Sequence, residues 1–168
     1  GAGRGIGLCL ATALHNEGVY VHGLDLEFPE ETYPFSTLQI DLTQESVYPK
    51  LVQHLGKFKG KIDIIVNNAG ITLPSQSEEY SLEDWEKTFK INVTVPFRLV
   101  QSLLPLLKKS ESPSVVNITS LNAALAFPNN PAYVASKSAL AGLTRSMALD
   151  YGCHGIRVNS LAPGYIKT

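Results

Sequence analysis

The chain has 168 residues, of which 44% are hydrophobic and 17% charged, and its formal net charge is −1. This composition supports a single domain over residues 1–168 and excludes a disordered chain, and the balanced charge gives no basis for binding nucleic acid or an anionic membrane. No apolar run approaches the length of a membrane span, and the isolated thiols of Cys9 and Cys153 favour a reducing compartment, the cytoplasm, and no metal site.

The first predicted elements surround a glycine-rich start. Glycines at positions 1, 5 and 7 open a helix predicted over residues 5–17, and a short apolar strand over 19–24 ends in Asp25. A polar connection that contains proline leads to a second strand over 38–40, followed by Asp41. Residue 1 is not Met and lies inside the glycine-rich segment, so we expect an internal piece of a longer protein.

The middle of the chain continues the alternation of helix and strand. A helix is predicted over residues 44–56, and a strand over 61–66 runs into the tight loop Asn67-Asn68-Ala69-Gly70. A long helix over 82–109 then contains Pro96.

The last elements complete the fold prediction. A strand over 114–119 ends at Ser120, a second long helix over 131–151 begins with a proline, and a strand over 155–161 is closed by Pro163-Gly164. Continuous apolar strands that alternate with helices are typical of a parallel sheet covered by helices on both faces. We therefore predict a doubly wound α/β fold, in which ligands bind beyond the carboxyl ends of the strands.

Tyr133 and Lys137 are the most informative pair in the chain. They stand four residues apart on one predicted helix, so they share a face, and Ser120 precedes the tyrosine by thirteen positions. A phenol is a poor base at neutral pH, but an ammonium about 4 Å away favours the phenolate by roughly 4 kcal/mol in an effective dielectric near 20. The three residues can therefore move a proton to or from an oxygen that the serine holds. The Tyr-x-x-x-Lys pattern alone is weak, since it also arises by chance.

The glycine-rich start and Asp25 indicate a nucleotide site. Glycines let backbone N–H groups approach a pyrophosphate at a helix N-terminus, and an acid about 20 residues further on can accept both ribose hydroxyls of NAD. Asp25 would repel the 2′-phosphate of NADP, whereas Arg4 could pair with it, and we favour NAD over NADP. Alternatively, the glycines form a flexible end and Asp25 is an ordinary turn residue.

Taken together, these residues resemble the classical short-chain dehydrogenase/reductase family over nearly the whole chain. The elements that carry the resemblance, in the order typical of the family, are Gly1-x3-Gly5-x-Gly7, Asp25, Asp41, Asn67-Asn68-Ala69-Gly70, Asn92, Ser120, Tyr133-x3-Lys137, Asn159 and Pro163-Gly164-x-Ile166-x-Thr168. The resemblance implies a Rossmann-like fold, here without the first strand and the C-terminal end of the family. Because that first strand is central, we expect the isolated 168-residue chain not to fold stably.

The resemblance also implies catalytic roles. Tyr133 would be the general acid/base, Ser120 the anchor of the substrate oxygen, and Lys137 the residue that holds the nicotinamide ribose and favours the phenolate. Asn92 would position a water in a proton relay to Lys137, although it could instead be a helix-kink residue near Pro96. Asn67 could mainly brace neighbouring strands, and Asp41 alone is only a turn signal.

The implied cofactor-binding residues lie in the segments that follow the strands. They are Gly1, Gly3, Arg4, Gly5, Ile6, Gly7, Asp25, Asp41, Leu42, Asn68, Ala69, Gly70, Tyr133, Lys137, Pro163, Gly164, Ile166 and Thr168.

The function predicted from these features is an NAD(P)-dependent oxidoreductase that interconverts a secondary alcohol and a carbonyl. The sequence leaves open a sugar-derived or a 3-oxoacyl substrate, an epimerase or dehydratase reaction, and a catalytically silent nucleotide-binding regulator or scaffold. The resemblance further implies a homotetramer or homodimer that packs through the two long helices, over 84–108 and 131–151.

Overall fold

The computed structural model describes residues 1–30 and 32–167 of the chain. These residues form two compact units, one made of Gly1–Asp41 together with the segment that begins at Ile166, and the other of Leu42–Tyr165. Each unit has its own parallel strands.

The first unit contains one helix and two parallel strands. Helix α1 spans Gly5–Asn16, β1 spans His22–Asp25 and β2 spans Ser36–Gln39. The two strands pair in parallel, with Asp25 opposite Gln39. Gly23 is required in β1 because a Cβ there would lie 2.6 Å from the ring of the buried Phe35.

The second unit contains a three-stranded parallel sheet and four helices. Its strands, in the order β3-β4-β5, are Ile64–Asn67, Ser114–Ile118 and Arg157–Leu161. Its helices are α2, α3, α4 and α5, which span Tyr48–Gly56, Leu82–Phe89, Val95–Leu107 and Pro131–Gly152.

The core of this unit follows from the register of its strands. Ile65, Val115 and Val158 form one row across the sheet, and all three are buried. Helix α4 packs against β3 and β4, and α5 packs against β4 and β5. The buried leucines of α4 are spaced at helical intervals, which gives that helix an apolar face toward the strands. The prediction of parallel strands flanked by helices is confirmed.

The predicted continuous helix over 82–109 is wrong in one respect, because a π-helical turn over Lys90–Thr94 separates α3 from α4. Pro96 lacks the N–H that would close the ordinary bond one turn back, and its ring crowds that carbonyl. The wider turn, in which the N–H of Val95 bonds to Lys90 O, lets the chain continue past the proline.

Three predicted strands also begin too early. The strand predicted over 155–161 begins only at Arg157, because the N–H of Ile156 bonds to Tyr151 O at the end of α5. The N–H of Val19 bonds to Leu14 O, so this residue closes the end of α1 and does not start β1. The N–H of Ile62 bonds to Leu106 O at the end of α4, and β3 begins only at Ile64. Apolar residues precede the strand in all three places, but their backbone N–H groups bond to helices.

Candidate functional site

The glycine-rich segment of the first unit ends at the N-terminus of α1. The first hydrogen bond within this helix runs from Leu8 N to Arg4 O, 3.2 Å, so the N–H groups of Gly5, Ile6 and Gly7 have no partner inside the helix. In the part of the chain that the structure describes, Arg4 makes no side-chain cap, and the first turn carries no acidic residue. The positive end of the helix dipole is therefore open to an anionic group such as a phosphate.

Asp25 lies at the carboxyl end of β1 and bonds directly to the glycine-rich segment. Its Oδ2 accepts the N–H of Gly3 at 2.7 Å, and its Oδ1 accepts the N–H of Leu26 at 2.7 Å. Partial burial works to raise the pKa of Asp25, but the N–H of Gly3, the terminal ammonium of Gly1 and the N–H groups of Leu26 and Glu27 hold it below its ordinary value. The carboxylate is thus ionised at neutral pH and lies directly against the glycine-rich segment.

Tyr33 is a residue of this region that the sequence did not single out. Its hydroxyl donates to Gly3 O at 3.1 Å, and its ring contacts the rings of Phe28 and Phe35. A Cβ on Gly3 would lie 2.3 Å from Glu27 O, so the segment after β1 passes directly against the glycine. Tyr33 and Asp25 together fix the backbone of Gly3 on both its carbonyl and its amide side.

Lys137 is the most strongly perturbed ionisable group in the second unit. Its side chain is only 3% exposed, and its Nζ donates to Ile118 O at 2.8 Å. Burial lowers the pKa of this amine from 10.5 to about 8. The Nζ lies 5.7 Å from the centroid of the Tyr133 ring, on the same face of α5. A cation that is easily deprotonated therefore faces the tyrosine.

Ser120 follows β4 and begins a single 3₁₀ turn over Leu121–Ala123. Its Oγ accepts the N–H of Asn122 at 3.1 Å, which leaves the hydroxyl hydrogen for another partner. The turn packs against α5, where the hydroxyl of Ser138 donates to Ala123 O at 3.0 Å. These contacts hold the serine beside the helix that carries Tyr133.

Asn92 is fully buried in the π-helical turn, and its side chain is bonded on every side. Its Oδ1 accepts the N–H of Ile71 at 2.9 Å, and its Nδ2 donates to Ile71 O and to the Oγ of Ser136, both at 3.0 Å. Both amide hydrogens are thus taken. A water held by Asn92 would have to use the second lone pair of Oδ1 or the backbone carbonyl.

Gly70 brings the loop after β3 against these residues. A Cβ at this position would lie 3.2 Å from Lys137 Nζ and 3.3 Å from Asn92 Oδ1. The absence of a side chain therefore leaves room beside the amine and the amide.

Asn67, at the end of β3, takes the bracing role that the sequence had left as an alternative. Its Nδ2 donates to Asn117 Oδ1 on β4 at 2.8 Å, and Asn117 Nδ2 donates to Thr144 Oγ1 on α5, also at 2.8 Å. These buried groups join two strands to the helix that carries Tyr133 and Lys137.

The other predicted site residues lie in segments that follow strands. Asp41, Leu42, Asn68, Ala69 and Pro163 are half-buried, and Gly164 and Ile166 are exposed. Thr168, which the sequence analysis gives as a cofactor-binding residue, lies outside the described residues.

A sequence model of the family described as short chain dehydrogenase matches residues 1–168. The chain belongs to the short-chain dehydrogenase/reductase family. This family assignment, predicted from the sequence, is confirmed.

Two curated relatives illustrate the similarity. Gluconate 5-dehydrogenase of Gluconobacter oxydans (strain 621H) is 36% identical over 178 residues, which cover 100% of this chain and 70% of the relative. The 2,3-dihydro-2,3-dihydroxybenzoate dehydrogenase of Escherichia coli (strain K12) is 34% identical over 168 residues, which cover 100% of this chain and 68% of the relative. Both names describe dehydrogenases, in agreement with the predicted enzyme class.

Two solved structures confirm the fold. The 4-hydroxyisoleucine dehydrogenase complexed with NADH has a TM-score of 0.90 and 34% identity, and the match covers 99% of this chain and 74% of that one. A gluconate 5-dehydrogenase from Burkholderia cenocepacia J2315, in complex with NADP and tartrate, has a TM-score of 0.90 and 30% identity, covering 100% and 70% of the two chains. One of these relatives is complexed with NADH and the other with NADP, so the comparisons do not decide between the two nucleotides.

The residues that the sequence analysis missed are those that hold the site. Ser136, Tyr33 and Thr144 make contacts that depend on distant partners, and each is a common residue type without a motif. Ser136 alone had a usable signal, because it follows Tyr133 by three positions and so lies on the same side of a helix.

Within residues 1–30 and 32–167, no helix has the length and apolar character needed to cross a membrane.

Proposed function

We propose that this short-chain dehydrogenase/reductase interconverts a secondary alcohol and a carbonyl, with Tyr133 as the general acid/base and NAD as the preferred nucleotide. The observation that carries the proposal is the buried amine of Lys137, which lies 5.7 Å from the centroid of the Tyr133 ring. A cation held beside the tyrosine stabilises negative charge on its oxygen.

The side chains of the second unit divide the work at the reacting oxygen. The hydroxyl of Ser120 donates a hydrogen bond to the substrate oxygen, because its lone pair already accepts the N–H of Asn122 and its hydrogen is left over. Tyr133 gives a proton to that oxygen or takes one from it, and Lys137 stabilises the phenolate form. When bound, the nicotinamide supplies or accepts the hydride.

The decisive test is Tyr133→Phe in the full-length protein. This change removes the hydroxyl and keeps the ring, so we expect turnover to fall by a factor of at least about 10² while NADH binding survives. Tyr151→Phe, on the same helix, is the matched control and should leave turnover unchanged. Normal turnover of the Tyr133→Phe variant would refute the assignment, and NADH binding without turnover in the wild type would indicate the silent regulator instead.

The proposed preference for NAD rests on the first unit. Asp25 is ionised and bonded to the glycine-rich segment, so a 2′-phosphate beside it would be repelled by the carboxylate. Arg4 is the opposing cation, and it is exposed. Fluorescence titrations should show NADH binding more tightly than NADPH, and Asp25→Asn should reduce the difference. Tighter binding of NADPH by the wild type would overturn this preference.

A sugar-derived substrate is the finer part of the proposal. Its support is the similarity to gluconate 5-dehydrogenase and to 2-dehydro-3-deoxy-D-gluconate 5-dehydrogenase of Dickeya dadantii (strain 3937), the latter 32% identical over 177 residues. The rival is a 3-oxoacyl substrate, and D-beta-hydroxybutyrate dehydrogenase of Rhizobium meliloti (strain 1021) is a relative at 30% identity over 180 residues. Parallel assays with gluconate and 3-hydroxybutyrate distinguish the two substrate classes. Turnover of 3-hydroxybutyrate and not of gluconate would contradict the proposal of a sugar-derived substrate.

We further propose a homotetramer or homodimer that packs through the long helices. Its support is the exposure of large apolar side chains there: Leu82 of α3 is 70% exposed, Leu149 of α5 is 84% exposed, and Trp85 and Phe97 are also exposed. Light scattering of the full-length protein tests this, and a monomer would contradict it.

Location in the cytoplasm is proposed from the free thiols of Cys9 and Cys153, both exposed.

A further inference from the structure

Ser136 occupies a fully buried position on α5 between Tyr133 and Lys137. Its hydroxyl donates to Tyr133 O at 2.9 Å, and this bond uses the only hydrogen that the Oγ carries. The same oxygen can therefore only accept from its other neighbour, which is the Nδ2 of Asn92 at 3.0 Å.

Together with the backbone of Ile71, this contact sets which way the amide of Asn92 faces. An amide can be turned by half a rotation about its last bond, which exchanges its oxygen and nitrogen. With Ser136 Oγ restricted to accepting, a turned amide would place two acceptors against each other, and its oxygen would also lose the N–H of Ile71 that it accepts at 2.9 Å. Only the observed orientation satisfies all these groups.

The orientation matters because of what lies beside Asn92 Oδ1. A Cβ built on Gly70 would be 3.3 Å from that oxygen and 3.2 Å from Lys137 Nζ, so the oxygen and the amine flank the same glycine. The amide also bonds to both backbone groups of Ile71 and so holds the loop after β3 in place. An error in its orientation would therefore displace the wall of the site next to the amine.

We propose that Ser136 is a positioning residue of the reaction, which acts through Asn92 by fixing the orientation of that amide, and so sets the loop at Gly70 beside Lys137. The proposal rests on the proposed dehydrogenase function of the Tyr133 site. Ser136 itself does not touch the reacting atoms, because its hydroxyl is enclosed by Tyr133 O and the amide.

The test is a double-mutant cycle in the full-length protein. Ser136→Ala leaves an amide hydrogen of Asn92 without its acceptor, so we expect kcat to fall about tenfold with KM changed less than about twofold. In an Asn92→Ala background, Ser136→Ala should cause no further loss of kcat, because there is no amide left to orient. Ser146→Ala, at an exposed position of the same helix, is the matched control and should leave kcat unchanged in both backgrounds.

The cycle can overturn the inference in two ways. An unchanged kcat of Ser136→Ala would show that the contact has no role in turnover, and an equal fractional loss with and without Asn92 would show a general effect on α5. If Ser136→Ala does not fold, Ser136→Cys makes the same comparison. Its expected loss of kcat is smaller than for Ser136→Ala, since sulfur is a weak acceptor and alanine has no acceptor at all. A failure of the proposed function would be recognised separately, as normal turnover of the Tyr133→Phe variant. In that case the double-mutant cycle of Ser136 and Asn92 could still be measured.

Discussion

Replacing Lys137 with Met should abolish turnover and yet make the protein more stable at neutral pH. The lysine is 3% exposed, and burial lowers its pKa from 10.5 to about 8. The difference between these values corresponds to a penalty of about 3 kcal/mol for keeping the charged amine in the folded state near pH 7. Met has a similar unbranched shape and no charge, so it removes that penalty.

One interaction works against the gain. Lys137 Nζ donates to Ile118 O at 2.8 Å, and Met cannot replace this bond. Loss of such a hydrogen bond destabilises by about 1 kcal/mol. We therefore expect the free energy of unfolding of Lys137→Met to exceed that of the wild type by about 2 kcal/mol near pH 7, measured by urea unfolding without nucleotide.

The pH dependence gives the stricter test. Between about pH 8 and 10.5 the unfolded chain holds the lysine proton and the folded chain does not, so the free energy of unfolding of the wild type rises with pH. Near pH 10 the penalty has fallen to about 1 kcal/mol, and the advantage of Lys137→Met should have disappeared. Lys50→Met, at an exposed position, is the control and should change stability by less than about 0.5 kcal/mol at either pH. A variant that is less stable at pH 7, or a difference that does not depend on pH, would refute the reasoning.

Three further changes test other parts of the structure. Gly3→Ala should weaken NADH binding strongly, because its Cβ would lie 2.3 Å from a backbone oxygen. Gly142→Ala, inside a helix, is the control and should raise the free energy of unfolding by up to about 1 kcal/mol. Equal NADH affinity of the two variants would contradict the prediction for Gly3. Tyr33→Phe removes the bond to the glycine carbonyl and should raise the dissociation constant for NADH several-fold, with exposed Tyr20→Phe as the control in the same titration; identical values would show that the bond is irrelevant. Asn117→Ala interrupts the buried amide network and should lower the free energy of unfolding by about 1–3 kcal/mol in urea, and a loss below about 0.5 kcal/mol would argue against it.

The alternation of helix and strand could be predicted from the sequence, because it follows from the periodicity and length of apolar runs. The ends of the elements could not, because they depend on the partner of each backbone N–H. Val19 and Ile62 are apolar residues next to strands, but their N–H groups bond to helices. The π-helical turn before Pro96 was missed for a related reason, since the sequence shows the proline and does not show whether the helix breaks, bends or widens there.

The candidate site divides in the same way. Tyr133, Lys137 and Ser120 were found because their chemistry is unusual at that spacing. The surroundings of these residues could not be predicted. The sequence does not show that Lys137 is buried or that its amine donates to a backbone carbonyl. Asn92 was singled out for a water, but its amide is used to fasten Ile71 and α5, a role that requires the two segments to be brought together by the fold.

Helix α5 explains why these polar contacts are concentrated in one place. Ser136, Lys137 and Thr144 are all buried on it, and they bond to the π-helical turn, to the backbone of β4 and to Asn117. Apolar packing alone tolerates small shifts of a helix along a sheet, whereas three buried hydrogen bonds with different partners are satisfied in one position only. The apolar row across β3, β4 and β5 stabilises the fold, whereas burial of the Lys137 amine on α5 lowers its stability. If this division is correct, Lys137→Met should keep the geometry of α5, since Ser136 and Thr144 retain their partners, and should lose turnover through chemistry alone.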